Sequence, residues 1–225
     1  MRARNTVAKG RKTMSNPYAF TDHPHTPAVI LAGGLATRMG GGDKGLLLVS
    51  GERLIDIVIA RLAPQCQPLA INANGDPERF TEFGLPILAD QIADYAGPLA
   101  GVLAGMDWAA SLGADHVLTV AADTPFFPTD LALKLRQAGQ ETGLALAASP
   151  DAEGKIWQHP TFGIWPTALR DDLRAALNLG LRKIVLWTQK NGAGQAVFSN
   201  DPFDPFFNIN SPEDVITAEK LAALI

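Results

Sequence analysis

The sequence predicts an α/β fold of three layers, in which a mostly parallel central sheet lies between two layers of helices. Short runs at residues 28–31 and 116–122 are apolar on both faces, as strands buried in a parallel sheet are. Segments with helical spacing alternate with such runs from residue 28 to residue 140, which predicts βαβ units. A glycine-rich loop and two aspartates follow three of the runs, at the sheet edge where open α/β sheets bind ligands.

The strands are predicted from apolar stretches too short for helices. Up to residue 140 they lie at residues 28–31, 68–73, 85–89 and 116–122. Beyond that point the regular alternation stops, and short strands are predicted at residues 143–149, 162–165, 195–199 and 206–208.

The helices are predicted from 3.6-residue spacing and from the residues at their ends. They lie at residues 52–62, 77–83, 101–112, from 129 onward, at 166–177, at 181–190 and from 211 onward. The first aligns five apolar side chains on one face: Leu54, Ile55, Val58, Ile59 and Leu62. Gly113 ends the third helix, Asp130 lies in the first turn of the fourth, and Ser211 caps the last.

Composition limits the class of protein. The chain has 225 residues, 47% hydrophobic and 19% charged, which suits one globular domain. A net charge of −4 argues against nucleic-acid binding, which needs a broad basic face. No apolar run reaches the roughly 18 residues that cross a bilayer. The one cysteine, Cys66, fits a small buried residue in a reducing cytosol. We therefore expect a cytoplasmic protein that binds neither nucleic acid nor membranes.

The first 25 residues differ from the rest of the chain. They are basic, with Arg2, Arg4, Lys9, Arg11 and Lys12, and contain no acid before Asp22. A signal peptide would need an apolar stretch next, and residues 13–26 are polar. We predict a disordered basic tail at residues 1–25 and a single domain at 26–225. This domain divides into two halves, at about residues 26–140 and 141–225.

The strongest functional signal is the loop LAGGLATRMGGGDKGL at residues 31–46. Glycines let the backbone approach a phosphate closely and direct several N–H groups at it. Arg38 and Lys44 add positive charge, and a triphosphate needs both donors and cations. The loop lacks the GK[ST] ending of a P-loop and is longer than a dinucleotide-binding GxGxxG turn. It predicts a nucleoside triphosphate site with Arg38 and Lys44 as catalytic cations.

Two aspartates at strand ends extend this site. Asp123, in the sequence AADTP, is expected to hold Mg²⁺, which takes one or two protein carboxylates plus phosphate oxygens. The alternative is a turn or cap at residues 125–128. Asp90 is suited to accept from a purine N–H or a ribose hydroxyl, with turn chemistry as its alternative. Asn72, at the end of the second strand, is a similar candidate.

In combination and order, these segments resemble the molybdenum cofactor guanylyltransferases. The resemblance starts with LAGGxxxRMGGxDK in the loop and covers about residues 27–222. It continues through INAN (71–74), LAD (88–90), DYAGPLAG (94–101), DTP (123–125), HPT (159–161) and NINSPED (208–214). Two features depart from the family pattern. Gly42 gives a third consecutive glycine, and the basic tail has no counterpart.

The resemblance implies a Rossmann-like nucleotidyltransferase fold and Mg²⁺-dependent transfer of GMP from GTP to Mo-molybdopterin, with pyrophosphate released. The implied GTP contacts are Leu31, Ala32, Gly33, Gly34, Lys44, Asn72, Asp90 and Asp123, the last also binding the metal. The implied cofactor contacts are Gly101, Arg182, Asn208 and Asn210. The resemblance also implies that the half at about 26–140 is the nucleotide-binding half and that the half at about 141–225 is the cofactor-binding half. We expect a monomer or weak homo-oligomer, with a molybdenum insertase and molybdoenzyme chaperones as partners.

Three other functions stay open on the sequence. A molybdopterin cytidylyltransferase would carry alanine in place of Gly34, where a purine tolerates less bulk. A sugar-phosphate nucleotidyltransferase would place a second acid near position 208 or 210, and both residues here are asparagine. A GTP sensor or cofactor chaperone would bind GTP without releasing pyrophosphate.

Overall fold

The computed structural model describes residues 20, 26–33, 43–92 and 97–224. The strands are β1 (Ala28–Leu31), β2 (Leu48–Val49), β3 (Glu52–Arg53), β4 (Leu69–Asn72), β5 (Ile87–Leu88), β6 (His116–Ala121), β7 (Ala145–Pro150), β8 (Ile156–Pro166) and β9 (Gly194–Val197). The helices are α1 (Leu54–Leu62), α2 (Pro98–Ser111), α3 (Leu131–Ala138), α4 (Arg170–Asn178), α5 (Ile184–Lys190) and α6 (Pro212–Ala222). Short 3₁₀ helices lie at Lys44–Leu46, Pro77–Phe83 and Thr167–Leu169.

Seven strands form one sheet in the order β5-β4-β1-β6-β8-β7-β9, and β2 pairs with β3 in a separate hairpin. Strand β1 is parallel to β4 and to β6, β5 is parallel to β4, and β9 is parallel to β7. Strand β8 is antiparallel to both of its neighbours, β6 and β7. The predicted mostly parallel α/β sheet is confirmed.

Helices cover both faces of the sheet. Successive side chains of a strand point to opposite faces. Ala28 and Ile30 therefore pack in one core with α1 and α3, and Val29 packs in another with α2, α4 and α5. The three-layer prediction is confirmed, and burial on both sides explains why β1 has no polar face.

Two predicted elements are different in the structure because pairing overrides local pattern. Residues 52–53, predicted as the start of the first helix, form β3 and pair with β2 across a turn at Ser50 and Gly51, both with positive φ. The helix predicted from residue 166 begins at Arg170, since β8 continues to Pro166 opposite His116.

The strand predicted at residues 206–208 is absent, and this expectation was wrong. The N–H of Phe206 donates to the Asp204 carboxylate at 2.9 Å, and the N–H of Ile209 donates to the carbonyl of Asp123 at 2.9 Å. These hydrogen bonds hold the segment as an irregular strap beside the end of β6. We call residues 206–210 the strap.

Two further predictions concern Ser211 and Cys66. Ser211 caps α6 as expected: its hydroxyl accepts from the N–H of Asp214, whose carboxylate accepts from the Ser211 N–H. Cys66 is buried, and that burial raises the pKa of its thiol to about 12. Within the part of the chain that the structure describes, no helix is both long and apolar enough to cross a membrane.

Candidate active site

The strand order reverses next to β1, because β4 and β5 extend the sheet to one side and β6 lies on the other. Such a reversal leaves a crevice at the carboxyl ends of the strands. A cleft of about 270 Å³ lies here. Its wall includes Leu31 and Gly33 after β1, and Ala121 and Asp123 at the end of β6.

The structure brings most of the predicted site residues into this one cleft. Those predicted to contact GTP and found in its wall are Leu31, Gly33, Lys44, Asn72, Asp90 and Asp123. Those predicted to contact the cofactor and found there are Asn208 and Asn210. Residues that are far apart in the chain thus share one cavity.

Among the described residues, Lys44 is the cation that lines the cleft. Its ammonium donates to Asn210 Oδ1 and lies 3.5 Å from Asp123 Oδ2. The side chains of Lys44 and Asp123 are 20% and 18% exposed, so water screens the pair only in part. The 3₁₀ helix Lys44–Leu46 follows the glycine-rich loop and places this cation opposite the end of β6.

The strap holds Asp123 from the other side. Asn208 Nδ2 donates to Asp123 Oδ1 at 3.1 Å, so the carboxylate has an amide on one oxygen and a cation near the other. Asn208 and Asn210 alternate with Ile209, which is fully buried against α6 and β2. The buried side chain between them directs both amides toward the cleft.

Asp214 fixes the C-terminal end of the strap. Its carboxylate accepts from the backbone N–H groups of Asn210 and Ser211, both at 2.9 Å. The N–H of Asn210 is the main reason that the pKa of Asp214 lies below its ordinary value, with smaller contributions from Ser211 and Lys44. An ionised carboxylate therefore anchors the backbone of Asn210.

Asp90 is held by two asparagine amides at the other end of the cleft. Asn72 Nδ2 donates to Asp90 Oδ1 at 2.9 Å and to the carbonyl of Leu88 at 3.0 Å. Asn74 Nδ2 donates to Asp90 Oδ2 at 2.8 Å, and its own Oδ1 accepts from the Asp90 N–H at 2.9 Å. These bonds orient the carboxylate before any ligand binds.

Gly101 lies beneath the cleft. It is buried in α2, and a Cβ at this position would come 2.2 Å from Asn72 Oδ1 and 2.9 Å from Leu31 Cδ2. The missing side chain therefore lets α2 approach the ends of β1 and β4. Direct contact between Gly101 and the cofactor stays a prediction.

Two other predicted residues, Ala32 and Arg182, lie outside the cleft wall, and two more are not among the described residues. Ala32 is buried and its N–H donates to the carbonyl of Asn72 at 2.8 Å, which extends the β1–β4 ladder. Arg182 is exposed in the connection between α4 and α5 and lies outside the cleft wall. Gly34 and Arg38 lie outside the described residues, and their roles stay predictions.

Sequence reasoning did not single out three residues that the structure places at or beside the cleft: Asn74, Thr161 and Arg79. Asn74 and Thr161 line it, and Arg79 binds the carbonyl of Asn74. The segments INAN and HPT contained the first two without indicating a role. No pattern in the sequence indicated Arg79, since its carboxylate partner, Asp43, lies 36 residues away.

Known proteins resemble this chain along most of its length. The family model described as a MobA-like NTP transferase domain matches residues 28–192. A molybdenum cofactor guanylyltransferase of Rhodopseudomonas palustris (strain BisB5) is 50% identical over 208 residues, which cover 90% of this chain and 97% of that protein. A protein of the same name from Bradyrhizobium sp. (strain ORS 278) is 48% identical, with 88% and 93% covered.

Solved structures resemble it in fold. Molybdopterin-guanine dinucleotide biosynthesis protein A from Archaeoglobus fulgidus has a TM-score of 0.66 at 20% identity, with 89% of this chain and all 100% of that chain covered. A CMP:2-keto-3-deoxy-manno-octonic acid synthetase has a TM-score of 0.67 at 12% identity, with 88% and 99% covered. The predicted Rossmann-like nucleotidyltransferase fold is confirmed.

Proposed function

This chain belongs to the MobA-like NTP transferase family and is a nucleotidyltransferase, and we propose that it transfers GMP from GTP to the phosphate of Mo-molybdopterin. The products are pyrophosphate and the guanine dinucleotide form of the cofactor. The observation that carries the proposal is the position of Lys44 between Asp123 and Asn210, where a phosphate-binding cation meets residues from both halves of the chain. The high identity to proteins named molybdenum cofactor guanylyltransferase supports the choice of substrates.

The proposed reaction asks the protein for positioning and charge neutralisation. A phosphate monoester is already anionic near neutral pH. Its oxygen attacks the α-phosphorus of GTP, a new P–O bond forms, and the bond to the β-phosphate oxygen breaks. Lys44 offsets the charge on the departing pyrophosphate. Arg38 is proposed for the same task from outside the described residues.

The residues present fit a magnesium ion that enters with the nucleotide. Asp123 offers a carboxylate in the cleft, and Mg²⁺ in such sites takes one or two carboxylates plus phosphate oxygens. Over the described ranges, no group of three or more His, Cys, Asp or Glu side chains could hold a metal ion. When bound, the ion would neutralise phosphate charge. The coordination shell would therefore need the triphosphate to be complete.

The neutral strap supports a phosphate as the attacking group. A hydroxyl acceptor would need deprotonation, and a second carboxylate near Asp123 would assist it. The strap instead offers two amides, Asn208 donating to Asp123 and Asn210 accepting from Lys44. This arrangement disfavours a sugar alcohol as acceptor.

The function is tested by incubating the full chain with Mg²⁺, Mo-molybdopterin and one nucleotide at a time. Pyrophosphate release and the mass of the pterin product are measured with GTP, CTP, ATP and UTP. We expect pyrophosphate and a guanylated pterin with GTP. Product formed with CTP in its place would favour the cytidylyl reaction, and GTP binding without pyrophosphate would favour a sensor.

A further inference from the structure

Arg79 lies beside the cleft and makes four hydrogen bonds. Its Nη1 donates to both carboxylate oxygens of Asp43 at 2.5 Å, and its Nη2 donates to the carbonyl of Asn74 at 2.5 Å. Its Nε donates to the carbonyl of Asp76 at 2.8 Å. All three guanidinium nitrogens are thus engaged, and the fork of donors is held in one orientation.

Two of these partners lead directly to residues of the cleft wall. Asp43 immediately precedes Lys44, so its placement sets where the 3₁₀ helix carrying the cation begins. Asn74 is the residue whose side chain pairs with both the carboxylate and the N–H of Asp90. One side chain therefore joins the residue before Lys44 to the residue that orients Asp90.

The ion pair also neutralises a negative charge on the residue that precedes Lys44 in the sequence. The side chain of Asp43 is 6% exposed and has a cation on both oxygens. Without Arg79, a nearly buried carboxylate would be left unpaired next to Lys44, which is costly in itself. That carboxylate would compete with a triphosphate for the Lys44 ammonium.

We propose that Arg79 is a positioning residue for the nucleotide site, which holds Asp43 away from Lys44 and fixes Asn74 against Asp90. It acts through these residues and does not touch the nucleotide. The inference rests on the proposed transfer of GMP, because it assigns Arg79 to the GTP half of the reaction. It goes beyond that function by adding a residue outside the cleft wall.

Arg53 provides a matched control. It binds Glu82, which lies in the same 3₁₀ helix as Arg79, Pro77–Phe83, at 2.6 Å. The side chains of Arg53 and Arg79 are each 30% exposed. Each arginine also lies over a phenylalanine ring of that helix, at 4.5 Å for Arg53 and 5.3 Å for Arg79. Its acidic partners, Glu82 and Asp56, are not in the cleft wall. Removing Arg53 therefore breaks ion pairs with carboxylates that are more exposed than Asp43, at 58% for Glu82 and 41% for Asp56, and that do not lie in the cleft wall.

The test compares Arg79→Ala, Arg79→Lys and Arg53→Ala in the full chain, with KM measured separately for GTP and for Mo-molybdopterin. For Arg79→Ala we expect the KM for GTP to rise about tenfold, the effect of losing one hydrogen bond to a charged group. The KM for the pterin should stay near its wild-type value. A variant that is only less stable would contain a smaller fraction of folded, active protein, which lowers the apparent kcat and leaves KM unchanged. We expect this result for Arg53→Ala.

A double variant tests the charge component. Replacing both partners of a buried pair removes the unpaired carboxylate that a single replacement leaves. Asp43→Asn combined with Arg79→Ala should therefore recover much of the GTP affinity that Arg79→Ala loses. If Arg79→Ala does not fold, Arg79→Lys is the deciding variant, because lysine keeps the positive charge and lacks the forked donors of the guanidinium. We expect Arg79→Lys to raise the KM for GTP by a smaller factor.

An unchanged KM for GTP in folded Arg79→Ala, or in Arg79→Lys when the alanine variant is unfolded, would overturn the inference. So would an equal rise in Arg53→Ala, or a double variant as impaired as the single one. In each of these cases the wild-type protein would still make guanylated product, and the proposed function would stand. Wild-type protein that releases no pyrophosphate from GTP would overturn the function and the inference together.

Discussion

At the residue scale, Lys44 is the side chain on which the proposed chemistry of the cleft depends most. Its ammonium has a carboxylate and an amide oxygen as neighbours, Asp123 and Asn210, and these contacts hold it in place. Donors fixed in advance need no reorganisation when charge develops on the leaving group. An entering triphosphate would replace part of the attraction of Asp123 for this cation.

We predict that Lys44→Ala lowers turnover on the order of 10²-fold, because a charge contact to the leaving pyrophosphate is lost. Steady-state pyrophosphate release measures it. Lys190→Ala is the control, since Lys190 is 68% exposed and pairs with Asp172 far from the cleft wall. Near-native turnover of Lys44→Ala would remove this role from Lys44.

Gly101 permits a second prediction at this scale. In Gly101→Ala the new Cβ would overlap Asn72 Oδ1 and crowd Leu31 Cδ2, so both cleft residues must move. We expect GTP binding to weaken by about tenfold or more, comparable with the loss of a hydrogen bond to a charged group. Calorimetry measures the affinity.

Gly105→Ala is the matched control, one turn further along α2. Its added Cβ would meet Val29 Cγ2 at 3.0 Å, inside the core and away from the cleft wall. We expect its stability to change and its GTP affinity to stay the same. Equal loss of affinity in both variants would show that packing of α2, rather than Asn72, controls binding.

At the scale of elements, the strap depends on β8. The ring of His159 in β8 stacks on Phe206 with 4.1 Å between centroids, and its Nε2 hydrogen-bonds with Ser149 Oγ of β7 at 2.7 Å. Phe206 is also packed edge-on by Phe162 and Phe198. The start of the strap is therefore fixed by an aromatic cluster, as its end is fixed by Asp214.

This cluster predicts a pH dependence. Burial lowers the pKa of His159, and nearby Asp204 opposes that shift only in part. In the unfolded chain histidine titrates at about 6.5, so below that pH the unfolded state takes up the proton first. Stability should fall as the pH drops from there toward the lower pKa of the folded state.

The measurement is thermal unfolding as a function of pH for the wild type and His159→Gln. The glutamine cannot titrate, so the variant should lose less stability than the wild type on acidification. Carboxylates such as Asp214, whose pKa is also lowered, contribute equally to both proteins and cancel in the comparison. Parallel pH curves would contradict the assignment.

Local pattern predicted most of the elements because their apolar faces are continuous. β1, β4 and β6 were read as strands because they are buried on both sides, and the Ser211 cap was found from its own neighbours. The strap was predicted wrongly because its partners lie elsewhere in the chain, and β3 because its pairing with β2 across the turn at Ser50 and Gly51 overrides the helical pattern. Phe206 packs in an aromatic cluster with Phe162, and the N–H of Ile209 donates to the carbonyl of Asp123 after the end of β6.

The site was predictable to the same extent. Residues at strand ends, such as Asp90 and Asp123, could be located because the fold brings the ends of parallel strands together. The assignment of Asn208 to the site followed from the family resemblance and not from spacing, and its hydrogen bond to Asp123 was not predicted. Arg79 and Asn74 could not be singled out, because their roles rest on side-chain contacts.

At the scale of the whole molecule, the two sequence halves form adjacent parts of one sheet and meet where β6 pairs with β8. Strand β8, from the second half, lies between β6 and β7, with Trp165 opposite Val117. The strap, also from the second half, hydrogen-bonds to Asp123 of the first. The division near residue 140 therefore describes which substrate each half is proposed to hold, GTP in the first half and the cofactor in the second.

We predict that a fragment of residues 26–142 does not bind GTP. Without β8, the buried strand β6 would become an exposed edge, which promotes aggregation and leaves its backbone groups unpaired. Circular dichroism and calorimetry on the fragment check this, with the full chain as control. A cooperatively unfolding fragment with native GTP affinity would show that the first half is an independent unit.

The proposed GTP site at Lys44 is tested most directly by a calorimetric titration of Mg²⁺–GTP into the full chain and into Lys44→Ala, in the absence of the pterin. We expect saturable binding of one GTP per chain to the wild type, and much weaker binding to the variant. No saturable heat with the wild type, or equal affinity in the two proteins, would contradict a GTP site centred on Lys44.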